Sequence, residues 1–524
     1  MRTRIQGALH GQALSSFVAL AALLIVWQVV AMIFFPYGDT LAGPTQVLRE
    51  LGRERDLWWP NIVATMSSAL TGLAIGVGIA VVLSAIAVLT RWTERVTLRV
   101  AAALYAMPIV AIGPLLQVRL TSAASSTVLA VFAVTFTALV SIIGGLHAAD
   151  RSARDVAHAF GGTPLAFLWK VRIPYALPSI VSGFQIAYPA AIIGALIGEF
   201  LGAQSGLGVL VLSDLSQMQT ASLYAAAAVI TAVTAIGYYA LGALARLCTR
   251  YVPATMGVAP RTTDAWWRRA VEAIATAVAV AVVLIAAWMA YLHFFSIGSF
   301  VGKGPGDVWA FLIDPKWAQD RGAVVHAIGR ILLDAVSGLA AGWGAAALGA
   351  ACFTVFPALE RVFMPPALAL RSVPIVAILP LLTLLFGRGL LGTAAVIGIV
   401  VFFPSLVLMT QGLRSVSADL LAVSHVYNAR SAQLLVKVRF PAALPAATAS
   451  LRIAAPASLL GALLAEWMAT GKGLGYLLLS DSTASNYTSL WSGAVLMTIL
   501  AILVYSLTDA LERGTIARFT PAHH

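Results

Sequence analysis

Val171-Arg172-Ile173-Pro174-Tyr175-Ala176-Leu177-Pro178 returns 267 residues later as Val438-Arg439-Phe440-Pro441-Ala442-Ala443-Leu444-Pro445. The same displacement carries Glu199 onto Glu466 and Gly206-Leu207-Gly208 onto Gly473-Leu474-Gly475. Upstream, Pro108 and Pro114 match Pro374 and Pro380 at 266, and Pro44 matches Pro305 at 261. Matches spread along a chain with a slowly drifting offset mark one duplicated unit with a few insertions and deletions. The chain is therefore read as two tandem copies.

Composition sets the solvent of those copies. Hydrophobic residues make up 60% and charged residues 10%, and the mean hydropathy is +0.91. A water-soluble chain carries about a quarter charged residues, so this one lacks the charge to cover an aqueous surface. Apolar runs long enough to cross a bilayer core of about 30 Å recur throughout. Spans are expected near 13–35, 62–90, 99–118, 126–147, 177–200 and 222–247. A second set follows near 271–295, 327–356, 363–386, 392–412, 444–467 and 490–511. The first run is too long for the apolar part of a secretion signal and is read as a span.

Charge orients the spans. With the N-terminus inside, the inner loops hold Arg91, Arg95 and Arg99; Arg151, Arg154 and Lys170; and Arg246, Arg250, Arg261, Arg268 and Arg269. They continue with Arg361; Arg414, Arg430, Lys437 and Arg439; and Arg513 and Arg518. Among the outer loops, Glu50, Glu54 and Asp56 stand against Arg49 and Arg53, and Asp214 has no nearby cation. This is the positive-inside pattern. The expectation is an all-α integral membrane protein of twelve transmembrane helices. They form two tandem, parallel six-helix repeats with both termini cytoplasmic. The units are residues 1–247 and 271–524, joined by a basic linker at 248–270. The net charge of +12 is spread over loops facing anionic lipid and forms no nucleic-acid patch. Cys248 and Cys352 are the only cysteines and build no metal or redox motif.

The fourth and fifth spans of each copy are joined by a loop of about twenty residues, where other inner loops are short. In the first copy it reads as two short helices around Gly161-Gly162, with Asp155 suited to a helix N-terminus. Phe160, Leu165, Phe167, Leu168 and Trp169 give it apolar surface, which marks a docking site. In the second copy Ala422, Val423, Ser424 and Asn428 take the corresponding places. Asn holds a left-handed backbone better than most side-chain-bearing residues.

These loops resemble the EAA loop of ABC importer permeases: Asp155-Val156-Ala157, Gly161, Val171 and Ile173-Pro174 in one copy, Ala422-Val423-Ser424, Asn428, Val438 and Phe440-Pro441 in the other. A Glu at the end of the fifth span followed by Gly-Leu-Gly is similar to the nitrate/sulfonate/taurine-type permeases, here two permease units fused in one chain. The resemblance implies docking of two ATP-binding cassette subunits on Asp155, Ala157, Gly161, Ala422, Ser424 and Asn428. It also implies an extracytoplasmic substrate-binding protein and alternating access of a small solute, such as a sulfonate, taurine or nitrate, across the bacterial inner membrane. Asp replaces Glu in the first loop, and the second has lost both acid and Gly, which puts equal engagement of the two ATPases in question. This chain is expected to be no enzyme and to bind no cofactor. ATP and Mg belong to the partner subunits, because no Gly-x-x-x-x-Gly-Lys-Ser/Thr occurs and Gly471-Lys472-Gly473 is not one.

Polar groups inside spans are candidates for the translocation path. Gln185 and Arg452 are repeat-equivalent, and Arg452 would stand about two turns inside the boundary, where it could attract an anion. The alternative for Arg452 is snorkelling or a structural pair. Glu199 and Glu466 are the other candidates, with bracing of the Gly-Leu-Gly turn as their alternative role. Arg330 and Asp334, four apart, are expected to pair locally. A twelve-helix secondary transporter shares the topology but has no use for two apolar loops at matching places. Thiamine- or pyrimidine-precursor and iron(III) permeases remain alternatives within the importers.

Overall fold

The computed structural model describes residues 21–22, 24–35, 40–88, 90–106, 113, 116, 120–147, 161, 163, 167–248, 266–371, 374–416, 418–427 and 429–519. Asp155, Ala157, Asn428, Pro108 and Pro114 lie outside them, as does most of the linker. Among the described residues the chain is helical. In the first half the helices are α1 (Leu24–Phe34), α2 (Pro44–Arg53), α3 (Arg55–Ala87), α4 (Arg91–Ala106), α5 (Ser122–His147), α6 (Ile173–Phe200), α7 (Leu207–Ser216) and α8 (Thr220–Cys248). The second half holds α9 (Trp266–Phe294), α10 (Pro305–Ile313), α11 (Ala318–Val355), α12 (Pro357–Arg371) and α13 (Ile375–Phe386). It continues through α14 (Leu390–Arg414), α15 (Ala418–Val426), α16 (Phe440–Ala465), α17 (Leu474–Thr483) and α18 (Tyr487–Phe519).

Among the described residues, eight helices are long and apolar enough to cross a membrane: α3, α5, α6 and α8, and their counterparts α11, α14, α16 and α18. They coincide with the second, fourth, fifth and sixth spans expected in each half. The third span, expected as one continuous helix at 363–386, is instead divided into α12 and α13. Pro374 caps α13 with an extended backbone (ψ 113°), and a proline disfavours helix at the residue before it. Helices α3 and α11 begin seven and nine residues before the expected spans. The 38 residues of α11 extend about 57 Å, well beyond a hydrocarbon core.

Each half is closed by a glycine seam that sequence patterning did not single out. On α3, a Cβ at Gly72 would lie 2.4 Å from Ala130 Cβ, and one at Gly76 would lie 2.7 Å from Val134 Cγ1, both on α5. On α11 the equivalents are Gly338 against Ile397 (2.4 Å) and Gly342 against the Gly398 carbonyl (2.5 Å), both on α14. Lipid supplies no hydrophobic drive between helices, so such close backbone approach is what holds spans together.

The halves meet through their third spans. Helix α13 packs on α6, α7 and α8 of the first half, and α4 packs on α18 and α9 of the second. One apolar core takes in Leu129, Leu196 and Leu207 together with Leu379, Leu463 and Leu474. All of these lie toward the ends of the spans away from the long inner loops. Toward the loop end, the described residues of the second half form a separate cluster of Ala346, Phe353, Leu406, Met409, Leu413 and Ala443.

Candidate functional site

The entry to the fifth span is built alike in both halves. Leu168–Arg172 and Leu435–Arg439 each form one widened π turn, in which the Ile173 N–H reaches the Leu168 carbonyl and the Phe440 N–H that of Leu435. Pro174 and Pro441 follow directly. A proline ring crowds the preceding turn and brings no N–H, and a widened turn gives it room. Such bulges recur at functional positions.

Arg172 carries more than its place in a basic loop suggested. It is 8% exposed, its Nη1 donates to the Val88 carbonyl at 2.9 Å, and its guanidinium lies 5.4 Å from the Phe167 ring centre. Val88 caps the C-terminus of α3, where carbonyls lack helical partners and favour a cation. The loop's exit is thus tied to the second span. The recurrence of Arg172 as Arg439 was the available signal. Arg439 Nε, however, has no hydrogen-bond partner among the described residues.

Gly161 has φ +71° and stands exposed. Phe167 and Leu168, expected as exposed apolar surface, are buried (9% and 4%) and Trp169 is open at 66%, while Phe160 and Leu165 lie outside the described residues. In the second loop α15 and residues 431–439 form two helical pieces around a turn. Ala422 is exposed, Ser424 Oγ donates to the Leu420 carbonyl at 2.8 Å, and Val426 and Tyr427 are open to solvent.

At the opposite end of α6, Glu199 is buried and its Oε2 accepts the Gly208 N–H at 2.7 Å. Asn61 and Thr65 of α3 accept the Gly206 and Leu207 N–H groups at 2.7 and 2.8 Å. Three successive N–H groups opening α7 are thereby satisfied, which a helix start in a dry environment requires. Glu466, fully buried, repeats the contact on Gly475 at 2.9 Å. There Ala327 and Ile331 stand where Asn61 and Thr65 would, and Glu466 Oε1 has no hydrogen-bond partner among the described residues. Arg330 pairs with the buried Asp334 at 3.3 Å, as their spacing predicts. These positions make Glu199 and Glu466 braces of α7 and α17.

Directly after each brace comes an aromatic residue. Phe200 and Trp467 are repeat-equivalent, 6% and 9% exposed, and meet edge to face across the two halves with ring centres 6.0 Å apart. Such pairs contribute about 0.5–1.5 kcal/mol beyond area burial. Beyond α7, the Ser222 hydroxyl donates to Asp214 at 2.7 Å. Burial pushes the Asp214 carboxyl up to about 6; Ser222 opposes the rise, and Glu54 and Glu50 add to it. Asp481 repeats this, raised by burial to about 6, opposed by Ser489 and reinforced by Asp320.

Arg452 does not stand free. Its Nε lies 2.7 Å from Glu512 and its Nη1 3.5 Å from Asp509, both on α18. Its counterpart Gln185 packs on Gly242 of α8, where a Cβ would lie 2.5 Å from the amide nitrogen. Gly242 occupies the position of Asp509 in the repeat, so one half carries an ion pair where the other carries an amide against a glycine. Arg452→Ala is expected to destabilise the chain by up to about 1 kcal/mol, since the pair is partly exposed, and to leave the solute concentration for half-maximal uptake unchanged. Unchanged stability with a weakened apparent affinity would return Arg452 to the path.

Comparison with known proteins agrees with this duplicated architecture. The family described as binding-protein-dependent transport system inner membrane component matches residues 72–252 and again 338–517. The chain is 30% identical over 230 residues to a probable ABC transporter permease protein of Haemophilus influenzae, covering 44% of this chain and 94% of that protein. It is 29% identical over 239 residues to the formylaminopyrimidine transport permease protein ThiX of Halalkalibacterium halodurans (44% and 92%). It is 30% identical over 238 residues to the riboflavin transport system permease protein RibX of Chloroflexus aurantiacus (45% and 88%). Each of these relatives thus spans about one half of the chain. The chain belongs to the inner membrane permease components of ABC transporters, is not itself catalytic, and carries the permease domain twice.

Proposed function

We propose that the chain supplies both permease halves of an importer that moves a small solute into the cytoplasm by alternating access. The carrying observation is the coupling segment, which occurs twice with the same π turn and proline at the entry of the fifth span. One chain then supplies both docking loops: Asp155, Ala157 and Gly161 in the first, Ala422, Ser424 and Asn428 in the second. Two ATP-binding cassette subunits bind them from the cytoplasm, bringing ATP and Mg, and a substrate-binding protein delivers solute from outside. The eight long helices, α1, α9 and the third span of each half make twelve crossings with both termini inside. The units are residues 1–247 and 271–524, with 248–270 as linker. Purified complex is expected to contain one permease chain and two ATPase subunits. A mass corresponding to two permease chains would contradict this.

Gly161→Val tests the coupling loops. At φ +71° with open space around it, the cost is backbone strain of about 1–2 kcal/mol. We expect several-fold loss of solute-stimulated hydrolysis, with Asn428→Gly nearly silent. Equal large losses would remove the asymmetry between the loops, and no loss from Gly161→Val would remove the loop's coupling role.

For the solute, the anion reading (sulfonate, taurine or nitrate) came from the resemblance carried by the Glu and Gly-Leu-Gly segments, and Arg452, its candidate attractor, is paired with Asp509 and Glu512. Two relatives matched over most of their length are named formylaminopyrimidine and riboflavin permeases, which favours a heterocyclic vitamin or its pyrimidine precursor, whereas relatives matched over shorter stretches bear sulfonate and taurine names. Uptake assays with the cognate binding protein, taurine against formylaminopyrimidine, separate the two.

A further inference from the structure

We propose that Phe200 and Trp467 form the gate at the end of the path away from the coupling loops, and that each ring moves as one body with its Glu-braced short helix. The inference rests on the importer reading. Three observations carry it. The rings are repeat-equivalent, so their contact lies on the pseudo-two-fold axis between the halves. Contacts on that axis must part when two rigid halves swing open, whereas the glycine seams within each half persist. Residues of both halves join the common core at this end, whereas its members near the loop end, such as Val88, Leu146 and Leu168, belong to the first half, and the described loop end of the second half packs on its own. This arrangement is closed outside and released inside.

The brace makes the ring part of a lever. Glu199 precedes Phe200 and holds the first turn of α7 through Gly208, and Glu466 precedes Trp467 and holds α17 through Gly475. Gly206 and Gly473 wrap so closely that a Cβ on either would lie 2.2 Å from the carboxylate carbon. A turn packed this tightly transmits displacement instead of absorbing it. The far ends of these helices are open: Met218, 72% exposed, follows α7, and the equivalent Ser485 follows α17. Both hold a left-handed backbone, at φ 57° and 61°. A delivering protein pressing on α7 and α17 would therefore act on the rings.

The test uses the full chain with its ATPase subunits in liposomes, with Cys248 and Cys352 replaced by Ser. Trp467→Cys and, separately, Phe200→Cys are exposed to a membrane-impermeant maleimide on the side opposite the ATPases. Without nucleotide both should resist labelling. With ATP and vanadate, labelling should rise up to about a hundredfold, the ratio between a 1:99 and a 99:1 open population. Ile142→Cys, buried within the first half, should stay unreactive throughout. If vanadate-trapped nucleotide is retained while both gate cysteines stay unreactive, the gate assignment falls and the importer reading stands. Equal labelling with and without nucleotide, or reaction at Ile142→Cys as well, overturns it too. Failure to trap nucleotide with two ATPase subunits overturns the importer reading, and the gate with it.

Discussion

Gly206→Ala and Gly473→Ala are expected to be the most damaging single substitutions in the chain. Gly206 has φ +133° and Gly473 φ +90°, a backbone region that side-chain-bearing residues rarely adopt. The space is also taken: the new methyl would sit 2.2 Å from the carbon of a buried carboxylate. Strain and clash together should cost at least about 3 kcal/mol, seen as a large drop in thermal midpoint and in the yield of monodisperse protein. The two contributions are separable. In a Glu199→Ala background the clash at Gly206 disappears while the positive φ remains, so Gly206→Ala should cost about 1–2 kcal/mol less there. Additive costs would mean that the carboxylate and the turn do not share one packed unit. A near-neutral Gly206→Ala would mean that the turn is not as tight as its geometry states.

The legible part of this fold was its repetition and its solvent. Duplicated prolines, Gly-Leu-Gly turns and the 267-residue offset disclosed two copies, and charge scarcity disclosed the bilayer. The broken third span was less legible because the stretch from 363 to 386 is apolar apart from Arg371, Ser372 and Thr383, and Pro374 is one of four prolines in it. Gly72-x-x-x-Gly76 and Gly338-x-x-x-Gly342 were present in the sequence, yet a glycine in a span states nothing about what approaches it. Hydropathy also treats every polar residue in a span alike. It could not tell that Arg452 would meet Asp509 and Glu512, or that Glu199 would find Gly208, because those partners lie in other helices. The aromatic pair was hidden for the same reason: Phe200 and Trp467 acquire meaning only when the halves are docked.

Arg172→Ala is expected to uncouple ATP hydrolysis from transport more severely than any change in the second loop. The wild-type guanidinium is buried, bonded to the Val88 carbonyl at the end of α3 and stacked on Phe167. Its removal leaves that carbonyl without this donor and the loop's exit detached from the second span. The unmet acceptor alone costs about 1–3 kcal/mol, and a loss near the middle of that range corresponds to more than tenfold in solute-stimulated hydrolysis if the bond carries the stroke. Arg172→Lys keeps the charge but lacks the planar fork and the ring stacking, so an intermediate loss is expected. Arg439, half-buried with Nε unpartnered, should tolerate Ala with a much smaller effect. The measurement is hydrolysis and uptake together, in liposomes, with basal hydrolysis as the control for ATPase docking. Basal hydrolysis should persist in Arg172→Ala, since this residue faces α3 and not the docking surface. If basal and stimulated rates fell in parallel, Arg172 would be part of the ATPase contact itself. If Arg439→Ala proved equally harmful, the two coupling segments would transmit force alike despite their different anchors.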